Sequence, residues 1–382
     1  PDAKVISMSI KNRGAILPGG HLSDGSYWYD YNSGNFITST FFKSSLPQWV
    51  TDFNNKKYAE LYMSGQWTTL QDISTYTESG PDDSPYEHLM PSKTTPTFPY
   101  DLKAMSSVEG YSSAGLLPYT PYGNTILTDL AMSAITAEGL GQDDQTDMLC
   151  ISYSTPDIVG HTFGPYSKEI EDIYLRLDLE VARLIKMIEK EVGKKDYTIF
   201  ITADHAVVPT PQNLVDHNLP GGYVYTDTNM YYLKESITAK FGQPLILEQD
   251  NLNFYLDHEN IAQLGLELDD VIEFVADKTV KWEGVKRVFT ANQLYNGNSN
   301  DPWLDMVRNG YHHSESGDVI LILEPGYLPS SKDTESSHKG TSHGSAYSYD
   351  THVPLLWYGN GIPKMDLYRP LNITDITSTL TH

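Results

Sequence analysis

The 382-residue sequence contains a single cysteine, Cys150, which lies in an apolar run from Met148 to Ile151. A lone cysteine cannot form a disulfide within the chain, and a metal site built on several thiolates is excluded. In an apolar run, such a cysteine usually acts as a small buried hydrophobic residue. Any metal site in this chain must therefore use oxygen and nitrogen ligands.

The sequence also lacks long apolar runs and has few basic residues. No stretch of 18 or more apolar residues occurs, so no transmembrane helix is predicted. The N-terminal residues enter a strand-like run, Val5–Ile10, without the basic and apolar regions of a signal peptide. The 26 basic and 50 acidic residues give a net charge of −24. Because such a chain repels phosphate backbones, its charge argues against a general nucleic-acid binder.

The chain contains neither an internal repeat nor a low-complexity tract. Residues 75–100 are rich in Pro, Ser, Thr and Asp, and this composition predicts a long surface excursion. Apolar runs elsewhere predict buried strands at Lys4–Ile10, Asp147–Tyr153, Tyr197–Thr202, Met230–Leu233, Asn253–Leu256, Gly317–Leu323 and Val353–Tyr358.

A strong helical pattern lies between the second and third of these strands. From Ile170 to Ile188, apolar residues recur at steps of three and four with charged residues between them, and Gly193 follows as a stop. A second helix is predicted from Asp269 to about Val280. A strand, a long helix and a further strand in succession are typical of a crossover unit. The predicted fold is therefore α/β, one domain with a largely parallel central sheet and helices on both faces.

Aspartate and histidine residues follow two of the predicted strands, and ligands bind beyond the carboxyl ends of parallel strands. Asp157 and His161 follow the second predicted strand, and their spacing of four places both on one face of a helical turn. Asp204 and His205 come just after the third predicted strand. His343 lies in a loop whose glycines permit close backbone approach.

Each of these features alone has a more ordinary explanation, namely a surface ion pair, a strand-end cap or a loop histidine. Their combination is more informative than any one of them. Two Asp/His pairs and a further histidine form a set of oxygen and nitrogen ligands without sulfur. Such a set suits zinc at a catalytic site, where open positions remain for water or substrate.

The segments that carry these residues resemble the alkaline phosphatase superfamily. The resemblance rests on SYSTPDIVGHTFGPYS from Ser152, on TADH from Thr202 and on GTSHGSAYSYDTHVPLLWYG from Gly340. It extends from Val5 to the end of the chain. Within the superfamily, the chain is similar to the branch that contains type I phosphodiesterases, nucleotide pyrophosphatases and PafA-type bacterial alkaline phosphatases.

The resemblance implies two Zn²⁺ ions and assigns their ligands. Asp157, His161 and His343 match the ligands of one ion, and Asp204 and His205 match two ligands of the other. A further aspartate and a nucleophilic Thr or Ser, which the family places before these motifs, are expected upstream of this chain. At the other end, the family usually continues beyond Asp375–Leu380 through a helix that closes the domain. We therefore expect a chain that is truncated at both ends and is inactive or nearly inactive.

Two basic residues near the start narrow the expected substrate. Lys11 and Arg13 follow the first predicted strand in the segment SIKNRG. The resemblance identifies them with the cationic pair that holds the phosphate oxygens in PafA-type monoesterases. A doubly charged phosphate monoester suits an ammonium and a fork-shaped guanidinium, whereas a diester carries one charge and a second substituent. The more ordinary interpretation is that both are solvated basic residues at a strand end.

The implied activity is hydrolysis of small phosphate monoesters by two-metal phosphoryl transfer through a covalent phospho-enzyme. One alternative is a phosphodiesterase or nucleotide pyrophosphatase of the same superfamily, against which the two basic residues argue. Another is a metal-binding fragment without catalysis, because no nucleophile is identified in the chain. The resemblance also implies a periplasmic or secreted location.

Overall fold

The computed structural model describes residues 3–297 and 300–380. Its strands, in chain order, are β1 (Val5–Ser9), β2 (Gly25–Tyr29), β3 (Phe36–Ile37), β4 (Gln66–Trp67), β5 (Tyr100–Asp101), β6 (Met148–Ser152), β7 (Thr198–Thr202), β8 (Gly222–Tyr225), β9 (Ile246–Asp250), β10 (Asn253–Leu256), β11 (Val285–Thr290), β12 (Val319–Leu323), β13 (Tyr327–Ser330) and β14 (Leu355–Gly359).

The α-helices, in the same order, are α1 (Asn12–Gly19), α2 (Gln48–Asn55), α3 (Tyr58–Tyr62), α4 (Leu102–Ser106), α5 (Ser113–Leu116), α6 (Tyr122–Glu138), α7 (Thr155–Phe163), α8 (Lys168–Glu191), α9 (Pro211–Asp216), α10 (Thr226–Phe241), α11 (His258–Gln263), α12 (Leu268–Thr279), α13 (Ala291–Asn296), α14 (Pro302–Asn309), α15 (Ser348–Thr351) and α16 (Asp375–Leu380). Short 3₁₀ turns lie at Ile73–Thr75, Leu117–Tyr119 and Glu335–His338. None of the helices in the described ranges is both long and apolar enough to cross a lipid bilayer.

The described residues form two compact units. Unit 1 comprises the chain up to Asp204 together with the segment from Pro354 onward, and unit 2 comprises His205–Val353. Strands and helices alternate along much of unit 1, so the α/β class predicted from the sequence is confirmed.

The main sheet of unit 1 has the strand order β3-β2-β1-β6. Its central strand, β1, runs parallel to β2 and to β6, whereas β2 and β3 are antiparallel. Apolar side chains of β1 and of α6 are almost completely buried in one core, which excludes water from this sheet. Because Ser9 and Ser152 are paired in the parallel register, the loops after β1 and β6 leave the sheet at the same edge.

The two strands that precede the predicted Asp/His pairs lie in separate sheets in the described part of the chain. β6 pairs with β1, whereas β7 pairs with β14 in an antiparallel ribbon. The long helix predicted between them is confirmed as α8, whose N-cap, Ser167, accepts a hydrogen bond from the amide of Ile170 at 3.2 Å. The sheet is thus more divided than the strand–helix–strand pattern indicates.

Unit 2 contains an antiparallel sheet with the order β11-β12-β10-β9 and a parallel pair, β8 and β13. The second predicted helix is confirmed as α12, which packs Val271 and Val275 into the core of this unit. The prediction of a strand at Met230–Leu233 is wrong, because these residues lie within α10. Leu233 and Ile237 form the buried stripe of that helix at a spacing of four, which a four-residue window does not reveal.

Residues 75–100 have little regular structure and run alongside α7 and α8. The amide of Gly80 donates a hydrogen bond to the carbonyl of Tyr166 at 2.7 Å, and the amide of His88 donates one to the carbonyl of Thr162 at 3.0 Å. Glu87 within the segment is almost completely buried. The segment is therefore anchored to unit 1 by backbone hydrogen bonds and by buried side chains.

Candidate active site

The first group of predicted site residues lies in unit 1, at the edge where β1 and β6 end. Helix α7 begins at Thr155, directly after β6, and Pro156 favours its first turn. Asp157 and His161 lie one helical turn apart, as the sequence predicts, and the Asp157 Oδ1 to His161 Nε2 distance is 3.2 Å. A carboxylate and an imidazole are thereby presented side by side.

Lys11 joins this pair from the neighbouring strand. The ammonium group of Lys11 contacts Oδ2 of Asp157. Lys11 is also the N-cap residue of α1, and its backbone is extended. The structure thus brings Lys11, Asp157 and His161 together, and we name these three residues the unit 1 cluster. All three side chains are partly exposed, so a ligand can reach them.

The start of α1 concentrates positive charge beside this cluster. Helix α1 has no acidic residue in its first turn, so no negative charge there offsets its dipole, although the amide of Arg13 donates to Oδ1 of Asn12 at 2.7 Å. Arg13 lies in the same turn and is exposed, and none of the described residues forms an ion pair with its guanidinium. A helix N-terminus, an ammonium and a guanidinium together form an environment that favours an anion.

The environment of Asp157 favours its ionised form. Burial raises the pKa of this carboxyl group, but hydrogen bonds from His161 and Lys11 lower it further than burial raises it. The net effect is a pKa below the ordinary value for an aspartate. An ionised carboxylate is the form that binds a metal ion.

The second group of predicted site residues lies in unit 2. The imidazole rings of His205 and His343 stack with their centroids 3.4 Å apart and their planes within 13° of parallel. Nδ1 of His205 lies 2.8 Å from the carbonyl oxygen of Ala206. If this nitrogen donates its proton there, Nε2 keeps the lone pair with which a histidine binds a metal.

Asp350, which the sequence analysis did not identify, shapes the loop of His343. Its buried Oδ2 accepts hydrogen bonds from the amides of Gly344 at 2.8 Å and Ser345 at 2.6 Å. Its backbone carbonyl accepts a further bond from the amide of Ala206 at 2.7 Å. Asp350 therefore links the residue after His205 to the residues after His343. The only sequence signal was an aspartate shortly after a glycine-containing loop.

The remaining predicted residues and the rejected alternative are located as follows. Asp204 is exposed, lies two residues beyond the end of β7 and is joined to His205 by a peptide bond. His352, the alternative to His343 nine residues later, is exposed and directly follows α15. The metal assignments of Asp157, His161, Asp204, His205 and His343 stay predictions.

Comparison with known proteins gives the family. The chain matches the type I phosphodiesterase / nucleotide pyrophosphatase family over residues 23–346. It is 38% identical over 380 residues to the alkaline phosphatase PafA of Elizabethkingia meningoseptica, covering 99% of this chain and 68% of that protein. The chain belongs to the type I phosphodiesterase / nucleotide pyrophosphatase family.

Two further comparisons agree with this membership. The alkaline phosphatase PhoV of Synechococcus elongatus is 35% identical over 383 residues, which cover 99% of this chain and 67% of that protein. The crystal structure of PafA matches with a TM-score of 0.91, covering 99% of this chain and 71% of that one. The chain thus spans about two thirds of the length of these relatives. The predicted resemblance is confirmed, and membership of the family implies an enzyme with a metal cofactor.

Proposed function

We propose that the enzyme hydrolyses small phosphate monoesters and that Lys11 and Arg13 hold the phosphate group. The observation that supports this most directly is the position of Lys11, whose ammonium group contacts Asp157 beside His161. A cation for the phosphate oxygens and a potential metal-ligand pair thus lie within one cluster. The alkaline phosphatase names of the relatives point to the same class of substrate.

The proposal includes two Zn²⁺ ions. Asp157, His161 and His343 are assigned to one ion, and Asp204 and His205 to the other, as the family resemblance implies. The donor types fit zinc, because an ionised carboxylate and neutral imidazoles are ligands that zinc accepts. When bound, such ions would stabilise charge on the attacking and leaving oxygens of phosphoryl transfer.

The residues of the chain would orient the substrate. The guanidinium of Arg13 can bind two phosphate oxygens at once, and Lys11 adds a mobile point charge. The amides at the start of α1 favour the same anion. A monoester presents two negative charges to these groups and a diester presents one, so the arrangement favours monoesters.

The test compares the hydrolysis of matched aryl monoester and diester substrates by the full-length protein, because this chain spans about two thirds of the length of its relatives. Charge-assisted contacts contribute about 1.5–3 kcal/mol each. The double variant Lys11→Ala/Arg13→Ala should therefore lose monoester kcat/KM by a factor on the order of one hundred or more. Diester hydrolysis should fall much less, and the exposed control Lys103→Ala should match wild type.

Two results would contradict the proposal. If both substrates lose activity equally, the pair supports folding or general electrostatics instead of substrate choice. If neither changes, Lys11 and Arg13 are surface charges, and the phosphodiesterase activity in the family's description becomes the better assignment.

We also propose an exported, periplasmic or secreted location, which rests on the family resemblance alone. Cell fractionation with an antibody against the chain is the corresponding measurement. Recovery of the protein in the cytoplasmic fraction would refute this location.

A further inference from the structure

The hydroxyl of Ser9 lies between the turn that carries Lys11 and the start of α7, the helix that carries Asp157 and His161. Ser9 is the last residue of β1 and is completely buried. Its Oγ accepts a hydrogen bond from the amide of Lys11 at 3.1 Å and lies 2.9 Å from the Oγ of Ser154. One hydroxyl group therefore contacts the turn that carries Lys11 and the residue that precedes α7.

Ser154 uses its hydroxyl in an unusual way for its position. It is the N-cap of α7, where a serine hydroxyl normally accepts a hydrogen bond from an amide of the first helical turn. The hydroxyl of Ser154 makes no such capping bond and instead pairs with Ser9. The start of α7 is thus tied to the end of β1 through side chains, in addition to the strand pairing of β1 and β6.

The packing of α1 restricts the position of the Ser9 hydroxyl. Gly14 lies so close to the sheet that a Cβ on it would approach Ser9 Oγ to 2.5 Å and Ser152 Oγ to 2.7 Å. Gly14 thus approaches the Ser9 hydroxyl more closely than a residue with a Cβ could. The hydroxyl is therefore held between the first turn of α1 and the start of α7.

We infer that Ser9 is a positioning residue, which fixes the phosphate-binding turn of Lys11 relative to the helix that carries Asp157 and His161. This inference rests on the proposed function for the roles of those three residues. It goes beyond that function because neither the family resemblance nor the motifs assign a role to Ser9 or to Ser154. A shift of the Lys11 turn or of α7 would separate the ammonium group of Lys11 from the carboxylate of Asp157.

Two variants distinguish the hydrogen bond from Lys11 to Ser9 from the hydrogen bond between Ser9 and Ser154. Ser9→Ala removes both hydrogen bonds of the Ser9 hydroxyl. Ser154→Ala removes the bond to Ser9 and a long contact, 3.5 Å, from the Ser154 hydroxyl to the carbonyl of Ser152, and it leaves the bond from the Lys11 amide to Ser9. Ser7 supplies the matched control, because it lies on the same strand, is equally buried, and has an Oγ without a hydrogen-bond partner among the described residues. Ser7→Ala is thus the same substitution without the loss of a bond.

Two binding measurements and one hydrogen-exchange measurement on the 382-residue chain test the inference, and none depends on turnover. They are the affinity for Zn²⁺ alone, the affinity for inorganic phosphate at saturating Zn²⁺, and hydrogen exchange at the Lys11 amide. A neutral hydrogen bond contributes about 0.5–1.5 kcal/mol. At tenfold per about 1.4 kcal/mol, Ser9→Ala should weaken phosphate binding roughly threefold to tenfold and speed exchange at Lys11 by a similar factor.

The other variants have distinct expected results. Ser154→Ala should weaken Zn²⁺ binding roughly threefold while exchange at Lys11 stays near wild type. Ser7→Ala should match wild type in all three measurements. If Ser9→Ala behaves like Ser7→Ala, the inference is overturned. If wild type binds no phosphate, the proposed function fails, and exchange at Lys11 in Ser9→Ala still decides whether the hydroxyl holds this turn.

Discussion

Replacing Glu87 by glutamine should make the protein more stable, and the gain should grow as the pH rises. Glu87 and Glu169 are both almost completely buried where residues 75–100 pack against α8. In the described residues, Oε2 of each carboxyl group has no hydrogen-bond partner. The hydroxyl of Tyr100 contacts only the other oxygen of Glu169, at 2.6 Å. Two such buried carboxyl groups resist ionisation together.

The sign of the pH effect follows from the shifted pKa values. Burial raises the pKa of Glu87, and the charge of Glu169 raises it further. Burial also raises the pKa of Glu169, against the effect of the Tyr100 hydrogen bond. The folded protein therefore keeps protons that the unfolded chain releases above about pH 4.5. The contribution of this pair to stability is greatest below that pH and falls as the pH rises toward the folded-state pKa values.

The expected size is set by the number of retained protons. Each one lowers the free energy of unfolding by at most about 1.4 kcal/mol per pH unit within this window. Glutamine has nearly the same shape and no proton to lose, so Glu87→Gln should flatten the slope by up to that amount. Urea unfolding at pH 5.5, 7.0 and 8.5 gives the slopes. Fluorescence of Trp67, whose ring centroid lies 5.2 Å from that of Tyr100, reports on this region.

Two outcomes would refute this reasoning. The exposed control Glu109→Gln should keep the wild-type slope, and a flattened slope there would point to general surface charge. Equal slopes in wild type and Glu87→Gln would show that Glu87 is ionised in the folded protein. In that case, water or a cation must reach the pair.

Two further predictions concern Asp350, which holds the loop of His343, and Gly14, which packs against Ser9. Asp350→Ala should destabilise unit 2 by about 3 kcal/mol or more in urea unfolding, because the amides of Gly344 and Ser345 lose a buried carboxylate acceptor; Asp350→Asn should lose less. Gly14→Ala should destabilise unit 1 by about 1–3 kcal/mol, because its Cβ would overlap two serine hydroxyls. Gly65→Ala is the control, since a Cβ there meets open space; equal losses in both glycine variants would contradict the steric argument.

Much of the fold could be predicted because local patterns determine it. The charged and apolar alternation of α8 marks a helix with one buried face, and its observed bounds agree with the pattern. The strand predicted at Met230–Leu233 failed because four apolar residues fit a strand and a helix equally well. Helix α6 was not predicted, since its many buried residues leave little amphipathic contrast. The pairing of the strands could not be predicted from the sequence either, because it depends on contacts between distant segments.

The site shows the same division between local and long-range information. A spacing of four predicts that Asp157 and His161 lie together, since both belong to one helix. The contact between Lys11 and Asp157 joins residues 146 positions apart. The family resemblance implies that both residues lie near the substrate, but it did not predict their contact with each other. Ser9 and Ser154 have no sequence signal, and Asp350 has only its position shortly after a glycine-containing loop. Serine and aspartate are common, and the partners of these residues are mostly backbone amides or another serine.

These supporting residues explain how a site with exposed charges can keep a fixed geometry. Lys11, Asp157 and His161 are each partly exposed, and ion pairs between exposed groups contribute little to stability. The hydrogen bond between Ser9 and Ser154 is buried and the bond from the Lys11 amide is partly buried. An unmade bond has a larger energetic cost in such surroundings than at the surface. Buried neutral groups therefore set the positions of the charged ones. In this arrangement, substitutions at Ser9 should alter the geometry of the site without altering its charge, whereas substitutions at Lys11 should do the reverse.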